Sequence, residues 1–272
     1  MAIAFVPIPV PKFSPNHLAL AEVCATEIWN GYDYQSGKAS DISDEDLLLM
    51  FSVPTFIQYK NAKTTRSFTE LDIRELIRAA RLKALFRSNQ PTDFQSAIAS
   101  YRTTAFAIYK QMKQGKPVLA HPYDYATQAI LSWSVKFVSN PNVSLNGNHR
   151  VPLACRILFF AMPDMMVFNY SNGLSKAMRF QKRPQAAILN FNKYLYEGLI
   201  LNFSLIKELK MPEPKSLPEE VWLAANQGGW WHRRVLDLAL LLHFNLVTAT
   251  PQLQTKGRQL AAQWAATKKA KP

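Results

Sequence analysis

The chain has 272 residues, with 32 Lys+Arg against 19 Asp+Glu and a formal charge of +13. Apolar residues make up 48% and charged ones 19%, which excludes a disordered basic tail and fits a packed protein with a positive surface. Nine glycines without a glycine-rich run exclude a dinucleotide fingerprint or P-loop, and two cysteines, Cys24 and Cys155, exclude a disulfide scaffold.

The opening MAIAFVPIPVPKF is apolar, but three prolines break it and no basic stretch leads it, so it reads as extended chain rather than a signal peptide. Asn16 caps a predicted helix over Leu18–Trp29 that stops before Gly31. Ser43, followed by Asp44, Glu45 and Asp46, has the acidic start of a second. Thr69 with Asp72 resembles a capping box opening a helix to about Phe86, and Pro91-Thr92-Asp93 opens one that ends at Gly115. Further helices are predicted over Tyr123–Val138, Pro152–Met162, Ser171–Phe180 and a long one over Pro184–Lys210. Leu217-Pro218-Glu219-Glu220 starts a short helix, Gly228–Gly229 leads into an apolar one through Phe244, and the last covers Gln254–Thr267.

Alternating strand patterns are confined to Val53–Tyr59 and Met166–Tyr170, and the longest low-complexity stretch is Ser139–Asn148. The expectation is an all-α, multi-helix protein of nine to eleven helices over residues 1–272, a single unit with room for two lobes. Ala186–Ile206 and Val235–Val247 are the most apolar stretches, but charged residues and short length exclude spans, so no membrane partner is expected. A soluble, cytoplasmic protein in a reducing compartment is the corresponding expectation.

Arg74, Arg78 and Arg81 fall at i, i+4, i+7 on one predicted helix face, diluted by Glu70 and Glu75. Lys176, Arg179 and Arg183 fall at i, i+3, i+7 with Lys182 beside them and no acidic residue between. Lys268, Lys269 and Lys271 add charge at the other end. Such stripes suit a phosphate backbone, against the alternative of a solvated face, and the Lys176–Arg183 helix is the better phosphate candidate.

The most informative segment is LNGNHRVPLACRILFFAMPDMMVFNYSNGLSKAM, Leu145–Met178, a short turn around Gly147, an apolar helix, a loop and a polar cluster opening a basic helix. It resembles the helix-hairpin-helix DNA glycosylases, most closely the 8-oxoguanine type and its bacterial relatives. LNGNH stands in the hairpin position, CRILFFAMPD in that of the apolar helix and its exit, and FNYSNGLSKAM where the family's catalytic aspartate begins its helix. GGWWHRRVLDLALL, Gly228–Leu241, looks like the closing helix of bacterial members. The resemblance covers some fifty residues. It implies a two-lobed fold, double-stranded DNA as partner, no cofactor, and a hairpin and basic helix spanning 145–183.

At the hairpin, a tight turn at Gly147 lets backbone N–H groups meet a phosphate, with Asn148, His149 and Arg150 adding donors. An ordinary helix connection is the plainer reading of the same residues. The family's lysine nucleophile falls at Arg150 or Val151, and arginine stays protonated, so a Schiff-base step is excluded there. The aspartate position falls between Asn169 and Ser171, where no acid stands. A base–sugar bond is normally broken with a carboxylate that stabilises an oxocarbenium sugar or activates water. Asp124, Asp164 and Asp237 are the candidate replacements, weighed against a helix start for Asp124, a turn for Asp164, and a buried ion pair with Arg233 and Arg234 for Asp237.

Chemistry on a base also requires a flipped-base pocket. Phe168, Tyr170, Tyr123, Trp230 and Trp231 are candidates, with core packing the competing role and one of the adjacent tryptophans expected to be exposed. The histidines and cysteines show no metal-ligand spacing, so no metal is expected. The functional expectation is a monofunctional DNA N-glycosylase that leaves an abasic site. The resemblance extends to anti-phage members acting on hypermodified bases such as glucosylated hydroxymethylcytosine. The alternatives are a non-catalytic DNA-binding protein on the same fold and a helical protein-interaction module.

Overall fold

A computed structural model describes residues 7–40, 42–49, 51–52, 110, 114, 121–139, 150–180 and 184–269. The described residues are helical and contain no strand beyond an isolated bridge between Tyr32 and Ala39. The all-α expectation therefore holds for them. Met166–Tyr170 is irregular rather than a strand, and Val53–Tyr59, the Thr69 and Pro91 helices, and the Arg74–Arg81 stripe lie outside the described residues.

The first helix, α1 (Pro15–Trp29), begins earlier than predicted. Ser14, not Asn16, is the cap: its hydroxyl accepts the His17 N–H at 3.3 Å, and Pro15 fills the first turn, where its missing donor costs nothing. The helix ends at Gly31 (φ 82), with the Gly31 and Tyr32 N–H groups closing on Ile28 O and Glu27 O. Residues 44–49 and 51–52 form the next helical segment, opened by a capping box. There the Asp46 carboxylate accepts the Ser43 N–H at 2.8 Å and the Ser43 hydroxyl accepts the Asp46 N–H at 3.0 Å.

The remaining helices are α2 (Pro122–Ser139), α3 (Arg150–Ala161), α4 (Asn172–Ala177), α5 (Pro184–Leu201), α6 (Phe203–Ile206), α7 (Glu219–Gln227), α8 (Trp230–His243) and α9 (Pro251–Lys269). The long helix predicted to Lys210 is interrupted at Asn202. The buried Asn202 side chain accepts the Phe13 N–H at 2.8 Å and donates to Pro11 O at 3.0 Å and Gly198 O at 2.8 Å. An amide that clamps the proline-rich segment on both sides outweighs one more helical turn.

Helix α1 packs between α8 and α9, and α2 packs on α3 and α5. The centre is aromatic: Trp29, Trp230 and Trp231 lie within 6.3 Å of one another by ring centroid, and Phe159 lies 5.2 Å from Trp230. The Trp230 indole N–H donates to Phe159 O at 2.9 Å, meeting its buried donor. Among the described residues no helix is long and apolar enough to cross a membrane.

Candidate functional site

Helix α8 carries three buried charged residues, Arg233, Arg234 and Asp237. Arg233 and Arg234 sit side by side in its first turns, both buried, and point to different partners. Arg233 donates to Pro163 O at 2.7 Å and Gly228 O at 3.0 Å, beside the Met166 sulfur. Burial holds its guanidinium down to about 9 while the nearby Asp164 charge raises it. Arg234 instead forms a fork on Asp44, Nε to Oδ2 at 2.6 Å and Nη2 to Oδ1 at 3.2 Å, and gives Nη1 to Asp237 Oδ2 at 3.1 Å. The expected ion pair of Asp237 is present, but with Arg234 alone. Arg233 is turned to carbonyls of the loop beneath the helix.

Asp237 has a second contact. The Asn169 amide donates to the same Oδ2 at 3.1 Å. Two residues named separately from the sequence, 68 positions apart, therefore meet on one oxygen. No described residue donates a hydrogen bond to Oδ1. Burial raises the Asp237 carboxyl above its ordinary range, and Arg234, Asn169 and Arg156 pull against that shift. The residue is 4% exposed, and its hydrogen bonds from Arg234 and Asn169 both fall on Oδ2.

The other candidates have structural roles. Ser171 caps α4, its hydroxyl accepting the Leu174 N–H at 3.0 Å. Asp124 accepts the His121 N–H at 3.0 Å and so closes the first turn of α2. Asp164 is half-buried in the loop between α3 and α4, next to Arg233 and against Gly228, where a β-carbon would meet Pro163 O at 2.7 Å. Phe168, Trp230 and Trp231 are each at most 2% exposed, and Tyr170 packs its ring on Phe191 at 4.7 Å while donating to Ser175 Oγ at 2.8 Å. The aromatic residues thus build core rather than line an open pocket, and neither adjacent tryptophan is exposed. Residues on consecutive helical positions are both buried here because α8 is covered on more than one face, by α1 and by the α3–α4 region.

The basic stripe over Lys176–Arg183 is also corrected. Helix α4 ends at Ala177, and Arg179 takes a left-handed φ of 59. The Arg179 N–H bonds Lys176 O at 3.1 Å and the Phe180 N–H bonds Ser175 O at 2.9 Å, a Schellman ending in which Arg179 occupies the position usual for glycine. Lys176 and Arg179 are both exposed but do not share a helical face. Gly147, Asn148, His149, Lys182 and Arg183 lie outside the described residues, and Arg150 opens α3. Among the described residues no group of three or more His, Cys, Asp or Glu side chains is placed to hold a metal.

Sequence reasoning missed Asp44. It carried the signal of a helix-start acid, and nothing local links it to Arg234, 190 positions away. No family model, curated protein or solved structure matches this chain.

Proposed function

We propose that this protein binds double-stranded DNA and cleaves a base–sugar bond by water attack, leaving an abasic site, with Asp237 as its carboxylate. The supporting observation is the 3.1 Å hydrogen bond to Asp237 Oδ2 from Asn169, one end of the Asn169–Ser171 stretch in which the family's aspartate position falls. A carboxylate held by one oxygen keeps the other for an attacking water or a developing oxocarbenium sugar. Burial raises its proton affinity above that of an ordinary carboxylate, the direction that strengthens a general base. With Arg150 or Val151 at the lysine position, no Schiff-base step follows, so strand cleavage is not part of the proposed reaction. The proposed substrate is a bulky or hypermodified base, glucosylated hydroxymethylcytosine in phage DNA being the leading case, and defence against phage the corresponding role.

The test is incubation with DNAs carrying modified bases, followed by probing for abasic sites with wild type and Asp237→Asn. Base release by wild type, lost by at least a hundredfold in the variant with DNA affinity retained, is the expected result. Bound DNA without abasic sites for any modified base would refute catalysis. The second reading, a non-catalytic DNA binder, draws on the ion pair that engages Asp237 and its 4% exposure. It predicts salt-dependent binding with no base release.

A further inference from the structure

We infer that Asp44 is a positioning residue for Asp237, acting through Arg234, an inference that rests on the proposed role of Asp237. The geometry is a division of one guanidinium between two carboxylates. Asp44 takes the Nε/Nη2 fork at 2.6 and 3.2 Å, and Asp237 receives Nη1, at 3.1 Å on Oδ2. A guanidinium fork pairs with a carboxylate through two parallel hydrogen bonds when both are free to meet. With Asp44 holding that edge, Arg234 reaches Asp237 through Nη1 on Oδ2 alone.

Asp44 is well fixed for this task. It is 1% exposed and lies in the first turn of the 44–52 segment. The residues on either side are pinned: Ser43 and Asp46 form the capping box, and Glu45 is buried with its Oε1 accepting the backbone N–H groups of Lys215, Ser216 and Leu217 at 2.7, 2.6 and 3.1 Å. A carboxylate caught by three consecutive amides holds the segment against the chain ahead of α7. Asp44 is thereby presented to α8 from a rigid support.

The charged and titratable groups acting on Asp237 come from every side. Arg234 stands on its own helix, Arg156 on α3, Asp44 on the 44–52 segment and Tyr34 on the chain following α1. Asp44 is the anionic member of this set whose pairing also consumes Arg234. Removing its charge takes away a repulsion and frees the guanidinium fork, and both effects favour ionised Asp237.

The experiment is an NMR titration of the Asp237 carboxyl in protein labelled with 13C-aspartate, assigned with Asp237→Asn, for wild type and Asp44→Asn. The same proteins are assayed for base release across pH. The midpoint of Asp237 is expected to fall by about one pH unit in Asp44→Asn. The acid limb of base release moves with it, and the maximal rate drops at least tenfold at unchanged DNA affinity. An unchanged or raised midpoint would overturn the inference. If wild type releases no base, the proposed function falls, and the titration alone decides whether Asp44 acts on Asp237. Should Asp44→Asn not fold, Asp44→Glu, which keeps the charge, is expected to hold the midpoint of wild type, and a lowered midpoint there also overturns the inference.

Discussion

Glu22 lies half-buried in the middle of α1, with its Oε2 sealed from solvent and accepting no hydrogen bond from the described residues. Burial alone pushes its carboxyl from 4.5 up to about 7, and on the same helix burial, with the Glu27 charge, pushes the Cys24 thiol up to about 12. The sign follows from the unfolded chain, where the acid loses its proton near 4.5. Below that pH both states are protonated and Glu22 costs nothing. As pH rises from 4.5 to about 7 the unfolded state ionises first, so stability falls, and above 7 the full cost is present. At about 1.4 kcal/mol per pH unit the ceiling is roughly 3 kcal/mol, and partial solvent screening of a half-buried group reduces it to about 1–3 kcal/mol. Glu22→Gln keeps the shape and removes the ionisation. Denaturant unfolding at pH 4, 6 and 8 is expected to show the variant equal to wild type at pH 4 and more stable by about 1–3 kcal/mol at pH 8. A difference independent of pH, or none at pH 8, would show that Glu22 is not held unpaired in the core.

Two further substitutions probe the support of the site. Gly228 has an ordinary φ of −73, so Gly228→Ala tests space alone: its β-carbon meets Pro163 O at 2.7 Å, displacing the loop that carries the acceptor of Arg233. A loss of about 1–3 kcal/mol in chemical denaturation is expected, and a neutral result would mean that the loop yields freely. Arg179→Gly relieves a left-handed residue costing about 1 kcal/mol, offset in part by the added freedom of glycine when unfolded. The melting temperature is expected to stay level or rise while DNA affinity falls, and a clear drop in stability would contradict the Schellman reading.

How far the sequence reached depended on the range over which each signal acts. Helices with a local start signal were legible: the Ser43–Asp46 box, the acidic start at Glu219 and Glu220, and the Gly228–Gly229 entry to α8 all sit where residue chemistry puts them. Endings governed by distant partners were not. Nothing near Asn202 announces that its amide serves Pro11 and Phe13, so the break after α5 was invisible, and α4 was drawn too long because arginine rarely ends a helix in the left-handed region. At the site, the family resemblance points to Asn169, and an acid beside arginines in an apolar helix points to Asp237. Their meeting, and the hold of Asp44 on Arg234, depend on how α8 lies against two other segments, and no spacing along the chain encodes that.

The scarcity of acids has a structural counterpart. Asp44, Glu45 and Asp237, three of the 19 carboxylates, are at most 4% exposed, and each is held by a specific donor set. Asp44 spends both oxygens on one guanidinium, and Glu45 gathers backbone amides on one oxygen. Lys12, Lys38, Lys176, Lys193, Lys207, Lys210, Lys215 and Lys256 are all exposed. Among the described residues two buried arginines, Arg233 and Arg234, nearly balance these acids, and the exposed lysines keep the positive balance at the surface, the sign that attracts a polyanionic partner. Burial also places Asp237 in a low-dielectric setting, where an anion acts most strongly on a developing positive charge. In the proposed function the exposed lysines would meet DNA and the buried Asp237 the base–sugar bond, so the two tasks would draw on different residues.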